Sequence, residues 1–176
     1  TGMNVLITGA GGYLGQQLVL HLLHNTNHTV IAADIRNKSP FEAHPNLQYI
    51  ELDVRSNEAR QYFEQYNIDV VVHLASIVTP GKKSNREFEY SVDVLGTKNI
   101  LEACVQTDVK RIVVSSSGAA YGYYANNAEW IEETDPIRGN EAFAYSYHKR
   151  LVEEMLDQYR TQYPQLEQTI FRIGTI

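Results

Sequence analysis

The chain has 176 residues, 43% of them apolar, with 15 Lys and Arg against 21 Asp and Glu for a net charge of −6. That length suits one domain with a sizeable core, and the acidic balance argues against a nucleic-acid surface or a polybasic membrane patch. No apolar run approaches the roughly 18 residues of a membrane span, and the single Cys104 cannot form an internal disulfide, which fits a reducing cytoplasm.

Thr1-Gly2 ahead of Met3 reads as a cloning remnant. Val5-Leu6-Ile7 then forms an apolar strand, followed by a turn with Gly9, Gly12 and Gly15 spaced three apart. Leu14, Leu18, Val19, Leu22 and Leu23 recur at helical spacing, so the turn opens a helix over Tyr13–His24. Further strands are predicted at Thr29–Asp34, Leu47–Leu52, Asp69–Leu74, Arg111–Ser116 and Gln168–Ile173. Helices fit between them at Asn57–Tyr66, Phe88–Gln106 and Tyr145–Tyr163. Continuous apolar strands such as Val70-Val71-Val72 suit a parallel sheet covered on both faces. The alternation predicts a doubly wound α/β domain of Rossmann type. One long irregular segment, Gly118 to Ala144, is rich in Tyr, Asn and Gly and is placed over a site.

Strand, glycine turn and helix together form the geometry that binds a dinucleotide pyrophosphate. Asp34 closes the second strand, where a carboxylate accepts hydrogen bonds from the adenosine ribose and repels a 2′-phosphate. That favours NAD over NADP, although Arg36, two residues on, is the type of residue that accommodates such a phosphate. Asp53, in Leu52-Asp53-Val54 at the end of the third strand, is placed to meet the adenine amino group, or is simply a surface acid. Tyr145 and Lys149 lie four apart on a predicted helix, so phenol and ammonium share a face. The ammonium pulls the phenol toward a pKa at which it serves as a general base. Ser117 follows the fifth strand at its carboxyl end, the side on which open α/β sheets bind ligands.

These motifs resemble the extended short-chain dehydrogenase/reductase superfamily, in its NAD-dependent epimerase/dehydratase group. Thr8-Gly9-Ala10-Gly11-Gly12-Tyr13-Leu14-Gly15 is similar to that family's cofactor loop, and His73-Leu74-Ala75-Ser76 to the segment that passes beside the cofactor. Ser115 to Gly122 resembles its serine-rich strand end, which gives Ser117 the catalytic role beside Tyr145 and Lys149. The resemblance implies NAD-dependent hydride transfer at a secondary alcohol or ketone of a sugar, nucleotide-linked or not, or of another small molecule. It also implies a homodimer through the helices at Phe88–Gln106 and Tyr145–Tyr163.

Several positions depart from the family pattern. Asp93 stands where Tyr-x-x-Asn is usual before Gly96-Thr97, and an ionised carboxylate cannot donate a hydrogen bond. Ala144 replaces a common proline. Thr175 replaces an asparagine that helps nucleotide-sugar epimerases hold substrate, which counts against a UDP- or dTDP-sugar. Residues 169–176 form an apolar strand at a point where family members continue into a smaller domain. The chain is therefore expected to be the NAD-binding domain, residues 3–176, of a longer protein whose C-terminal substrate part is not included.

Two alternatives belong to other classes. A non-catalytic NAD(P) sensor on the same fold does not need the Tyr145–Lys149 pair. A methyltransferase also uses a glycine loop with an acid after the second strand, and it would leave Ser117 to Lys149 a coincidence. His21, His24 and His28 lack a carboxylate or cysteine to complete a metal site. Gly81-Lys82-Lys83 lacks the flanking residues of a triphosphate loop. Glu51, Asp53 and Glu58 read as a solvated edge. Tyr121 is placed on the pocket side of the long loop, while Tyr123, Tyr124 and Trp130 either line the pocket or pack the loop down.

Overall fold

The computed structural model describes residues 2–76, 86–115 and 136–171, with 136–146 and 171 as backbone only. Strands β1 (Asn4–Thr8), β2 (Thr29–Asp34), β3 (Leu47–Glu51), β4 (Val70–His73), β5 (Arg111–Ser115) and β6 (Glu167–Phe171) form one sheet. Their order is β3-β2-β1-β4-β5-β6, and every neighbouring pair is parallel. Each strand lies within two residues of its predicted bounds. The chain winds outward from β1 in one direction to β3 and in the other from β4 to β6. The carboxyl ends of β1 and β4 therefore flank the topological switch point, where this class of sheet binds ligands.

The inner strands β1, β2 and β4 read as largely apolar runs because helices cover both faces. Alternate side chains go to opposite sides. Leu6, Ile31, Ala33, Val71 and Ile112 pack with Phe63, Ile100, Leu101, Leu156 and Tyr159 in one core. Val5, Ile7, Val30, Ala32 and Val72 pack with Val19 and Leu23 in the other. Thus α1 (Tyr13–Asn25) covers one face, and α2 (Glu58–Gln65), α4 (Gly96–Gln106) and α5 (Pro136–Gln162) the other. Cys104 is fully buried in α4, and burial pushes its thiol well above the ordinary range. Its role is packing. Among the described residues no helix is long and apolar enough to cross a membrane.

Two helices differ from expectation. The stretch predicted as one helix over Phe88–Gln106 is α3 (Arg86–Tyr90), a π-helical segment (Ser91–Leu95) and then α4. The Gly96 N–H bonds Ser91 O, five residues back. A Cβ on Gly96 would lie 2.7 Å from Val54 Cγ2, so the wide turn goes with close packing of helix against the loop after β3. The second difference is α5, which begins at Pro136, inside the segment predicted as irregular. Proline presets a helical φ in the first turn, and Glu141-Ala142-Phe143-Ala144 favours helix. Gly139-Asn140 hid that tendency, since both residues read as turn signals.

Candidate functional site

The glycine loop is built by sterics that differ from one glycine to the next. Gly9 has φ +65°, and a Cβ there would lie 2.7 Å from Ala75 N. A Cβ on Gly15 would lie 2.3 Å from Gly9 O, and one on Gly11 2.8 Å from Asp34 Oδ2. Backbone excludes a side chain at Gly9 and Gly15, whereas at Gly11 the Asp34 carboxylate would have to move. Gly12 is different: its backbone is ordinary extended (φ −74°, ψ 172°), and the nearest atom to a built Cβ is Gly9 O at 3.4 Å. Gly12 is also the N-cap of α1, which has no side-chain cap and no acid in its first turn. The partial positive charge of the helix start, with its first N–H groups, therefore faces an open cradle suited to a pyrophosphate. Tyr13 and Leu14, the next two residues, are exposed.

Asp34 holds this loop in place. Its Oδ2 accepts the Gly11 N–H at 2.7 Å, and its Oδ1 accepts the Arg36 N–H at 3.1 Å. The Gly11 carbonyl in turn accepts from Arg36 Nη1 at 2.9 Å and from Gln16 Nε2 at 2.7 Å. Each Asp34 oxygen keeps lone-pair capacity, so the nearly buried carboxylate fits a ribose diol. The Arg36 side chain is largely exposed, with its Nε 3.9 Å from Asp34 Oδ1.

After β4, the N–H groups of Leu74 and Ala75 bond Thr8 Oγ1 at 3.0 and 3.1 Å. Ser76 Oγ is buried and has no hydrogen-bond partner among the described residues, an orphan that a ligand's polar atom would satisfy. Beyond β3, Asp53 is engaged by Arg55, with Nε 2.9 Å from Oδ1 and Nη2 2.7 Å from Oδ2. That fork holds the Asp53 carboxyl below its usual range. Arg55 continues to Ser91 Oγ at 3.1 Å and lies over the Phe88 ring. Asp53 is thus one end of a strap to the π-helical segment. Val54 is buried, and its carbonyl accepts from Asn99 Nδ2 at 2.7 Å.

Lys149 sits on α5 one turn after Tyr145. Burial lowers its ammonium pKa, while the Asp93 and Glu153 carboxylates oppose that shift and favour the charged form. Asp93 is 4% exposed, in the π-helical segment. Its neighbour His148 is equally buried, packs edge-on to Tyr90, and has its pKa lowered by burial against the pull of Asp93. Ser117 lies outside the described residues, as do the side chain of Tyr145, Gly81-Lys82-Lys83, Tyr121, Tyr123, Tyr124, Trp130 and Thr175.

The sequence model of the NAD dependent epimerase/dehydratase family matches residues 5–176. The chain belongs to that family. It is 28% identical over 173 residues to a putative UDP-glucose 4-epimerase of Methanocaldococcus jannaschii, covering 98% of this chain and 55% of that protein. The solved UDP-Glc/GlcNAc 4-epimerase from the human pathogen Campylobacter jejuni superposes with a TM-score of 0.77 at 25% identity, over 97% of this chain and 53% of that one. The structure of MoeE5 in complex with UDP-glucose and NAD gives a TM-score of 0.68 at 28% identity, covering 96% and 52%. The chain spans about half the length of the curated relatives it matches.

For an epimerase/dehydratase-family chain, the structure brings Gly9, Gly11, Gly12, Gly15, Asp34 and Arg36 into one cluster at the end of β1 and β2. Leu74, Ala75 and Ser76 close it from β4. Asp53 and Val54 form a separate wall tied to α3 and α4. Sequence reasoning missed Gln16 and Asn99, whose amides bond backbone carbonyls of the loop and wall. The roles of His73 and Thr97 were likewise not legible, because they arise from contacts between elements distant in sequence. The signal in the residues was a histidine set in an apolar run, Val70-Val71-Val72-His73-Leu74. Among the tempting histidines, His28 Nδ1 accepts the Met3 N–H at 2.9 Å and His21 pairs with Asn25.

Proposed function

We propose that this chain is the NAD-binding domain, residues 3–176, of an NAD-dependent epimerase-type oxidoreductase acting at a secondary alcohol or ketone of a sugar. The observation that carries the reading is the Asp34–Gly11 hydrogen bond, which presents a carboxylate beside an open, uncapped helix start. Gly9 to Gly15 would hold the pyrophosphate, with Tyr13 and Leu14 lending backbone N–H groups. Asp34 would hold the adenosine ribose and Arg36 would brace the loop. Asp53 and Val54 would flank the adenine, and Leu74, Ala75 and Ser76 the nicotinamide half. Bound NAD supplies a hydride acceptor and donor.

The protein's share is proton handling and geometry. Tyr145 takes the proton of the substrate hydroxyl, Ser117 hydrogen-bonds the same oxygen, and Lys149 favours the phenolate. Asp93 and Glu153 keep Lys149 charged for that task. The relatives named as UDP-glucose 4-epimerases support a nucleotide-linked sugar as substrate, against the reading from Thr175. Exposed Leu95 and Tyr147, on the elements that the resemblance assigns to dimer contact, support a homodimer. The sensor alternative is disfavoured by the retained Tyr145 and Lys149, and the methyltransferase alternative by the family match.

Replacing Tyr145 with Phe in a full-length protein tests the assignment. Turnover of a UDP-sugar should be lost while NAD binding stays within a few-fold. Full activity in that variant would sink the catalytic reading.

A further inference from the structure

Thr8 and His73 are register partners across the switch point. Thr8 Oγ1 lies 2.7 Å from His73 Nδ1, and it also accepts the Leu74 and Ala75 N–H groups. On the other side of the ring, His73 Nε2 lies 3.0 Å from Thr97 Oγ1. Thr97 donates its own proton to the Asp93 carbonyl at 2.7 Å. All three side chains are buried.

This geometry has one consistent set of proton positions. A threonine hydroxyl has a single proton, and a carbonyl only accepts. Thr97 Oγ1 therefore receives the ring's proton, which must be on Nε2. The bare Nδ1 then accepts from Thr8, whose two lone pairs are filled by two backbone N–H groups. The bonds run one way, from the turn after β4, through Thr8, His73 and Thr97, to the π-helical segment. An imidazolium would put a second ring proton against the Thr8 hydroxyl, which already accepts twice. Burial, and after it the Lys149 ammonium on α5, both disfavour that charged form.

We infer that His73 is a positioning residue: a neutral imidazole protonated on Nε2 that locks Leu74 to Ser76 against the glycine loop and so sets NAD affinity without touching the cofactor. The link to the loop is direct, because Ala75 N is the atom that a Cβ on Gly9 would strike. The backbone of Leu74 and Ala75 thus fills the space beside Gly9, with Leu74 C 2.9 Å from the same position. The affinity claim rests on the NAD reading above. The tautomer does not.

The test is ¹⁵N NMR of the imidazoles in the 176-residue chain, with His73 assigned by its loss in His73→Gln, alongside NAD calorimetry of Thr97→Val and Thr97→Ser. His73 should be neutral with the proton on Nε2 at pH 7. Thr97→Val should weaken NAD binding about tenfold, the effect of one net hydrogen bond, and Thr97→Ser should restore it. An Nδ1-protonated or charged His73 at pH 7 would overturn the inference, as would unchanged NAD affinity in Thr97→Val. If Thr97→Val does not fold, the tautomer of the unaltered chain decides. Failure of the unaltered chain to bind NAD would overturn the NAD reading and the affinity claim with it, while an Nε2 proton would still support the one-way chain of bonds.

Discussion

Asp34 Oδ2 accepts the Gly11 N–H at 2.7 Å, so the carboxylate proposed to hold the ribose is also the clamp on the glycine loop. This dual use has a consequence for cofactor switching. Asp34→Ala removes the repulsion of a 2′-phosphate, but it also orphans a buried N–H, which costs about 1–3 kcal/mol. The variant should bind NAD at least tenfold more weakly and gain no affinity for NADP, with a lowered melting temperature. Calorimetry with both cofactors checks this, and a tight NADP complex would contradict it.

Gly12 and Gly15 separate folding from binding. Alanine at Gly15 drives a Cβ to 2.3 Å from Gly9 O, and backbone cannot yield cheaply, so Gly15→Ala should cost several kcal/mol of the order seen for overpacking or more. Alanine at Gly12 meets only a 3.4 Å contact with an ordinary backbone. Gly12→Ala should therefore melt close to the unaltered chain, within about 1 kcal/mol, yet lose NAD because the methyl group occupies the cradle. Thermal unfolding and NAD titration of the pair measure both halves.

Most of the fold was legible in the residues because its signals are local. The inner strands β1, β2, β4 and β5 are short, largely apolar runs, and α1 has a regular apolar stripe. The glycine loop was legible because close backbone approach leaves no room for a Cβ at Gly9 and Gly15, and Asp34 because it closes the second strand. The start of α5 was hidden by Gly139-Asn140, a turn signal inside a helix. The π-helical segment was hidden because nothing in Ser91-Val92-Asp93-Val94-Leu95 distinguishes a wide turn from an α-helix. It accompanies the contact of Gly96 with Val54, which is tertiary. The fork of Arg55 on Asp53 and the threonine–histidine chain are likewise products of packing between elements far apart in sequence.

The pH dependence of stability follows from His73. Burial holds its pKa at about 4, against 6.5 for an ordinary histidine. The unfolded chain therefore binds the proton first as pH falls. Stability from this group is complete above pH 6.5, declines as pH drops toward 4 and is lost below, a change of about 3 kcal/mol. Urea unfolding at pH 7 and at pH 4.5 should show the decline in the unaltered chain and a smaller one in His73→Gln. Equal slopes in the two proteins would contradict the assignment.

Asp93 should tune Lys149. Its carboxylate raises the lysine pKa against burial, so Asp93→Asn, which restores the residue usual in the family, should lower that pKa further. The Lys149 ammonium would then titrate at a lower pH by NMR, and the Tyr145-dependent rate of a full-length enzyme would lose activity earlier on the alkaline side. An unmoved Lys149 titration would show that Asp93 and Lys149 are not coupled.

The measurement closest to the centre is calorimetry of this chain with NAD, NADP and S-adenosylmethionine in parallel. Saturable binding of NAD, at least tenfold tighter than NADP, is the result expected from Asp34 and the open helix start. Binding of S-adenosylmethionine alone, or of none of the three, would contradict the proposed cofactor site.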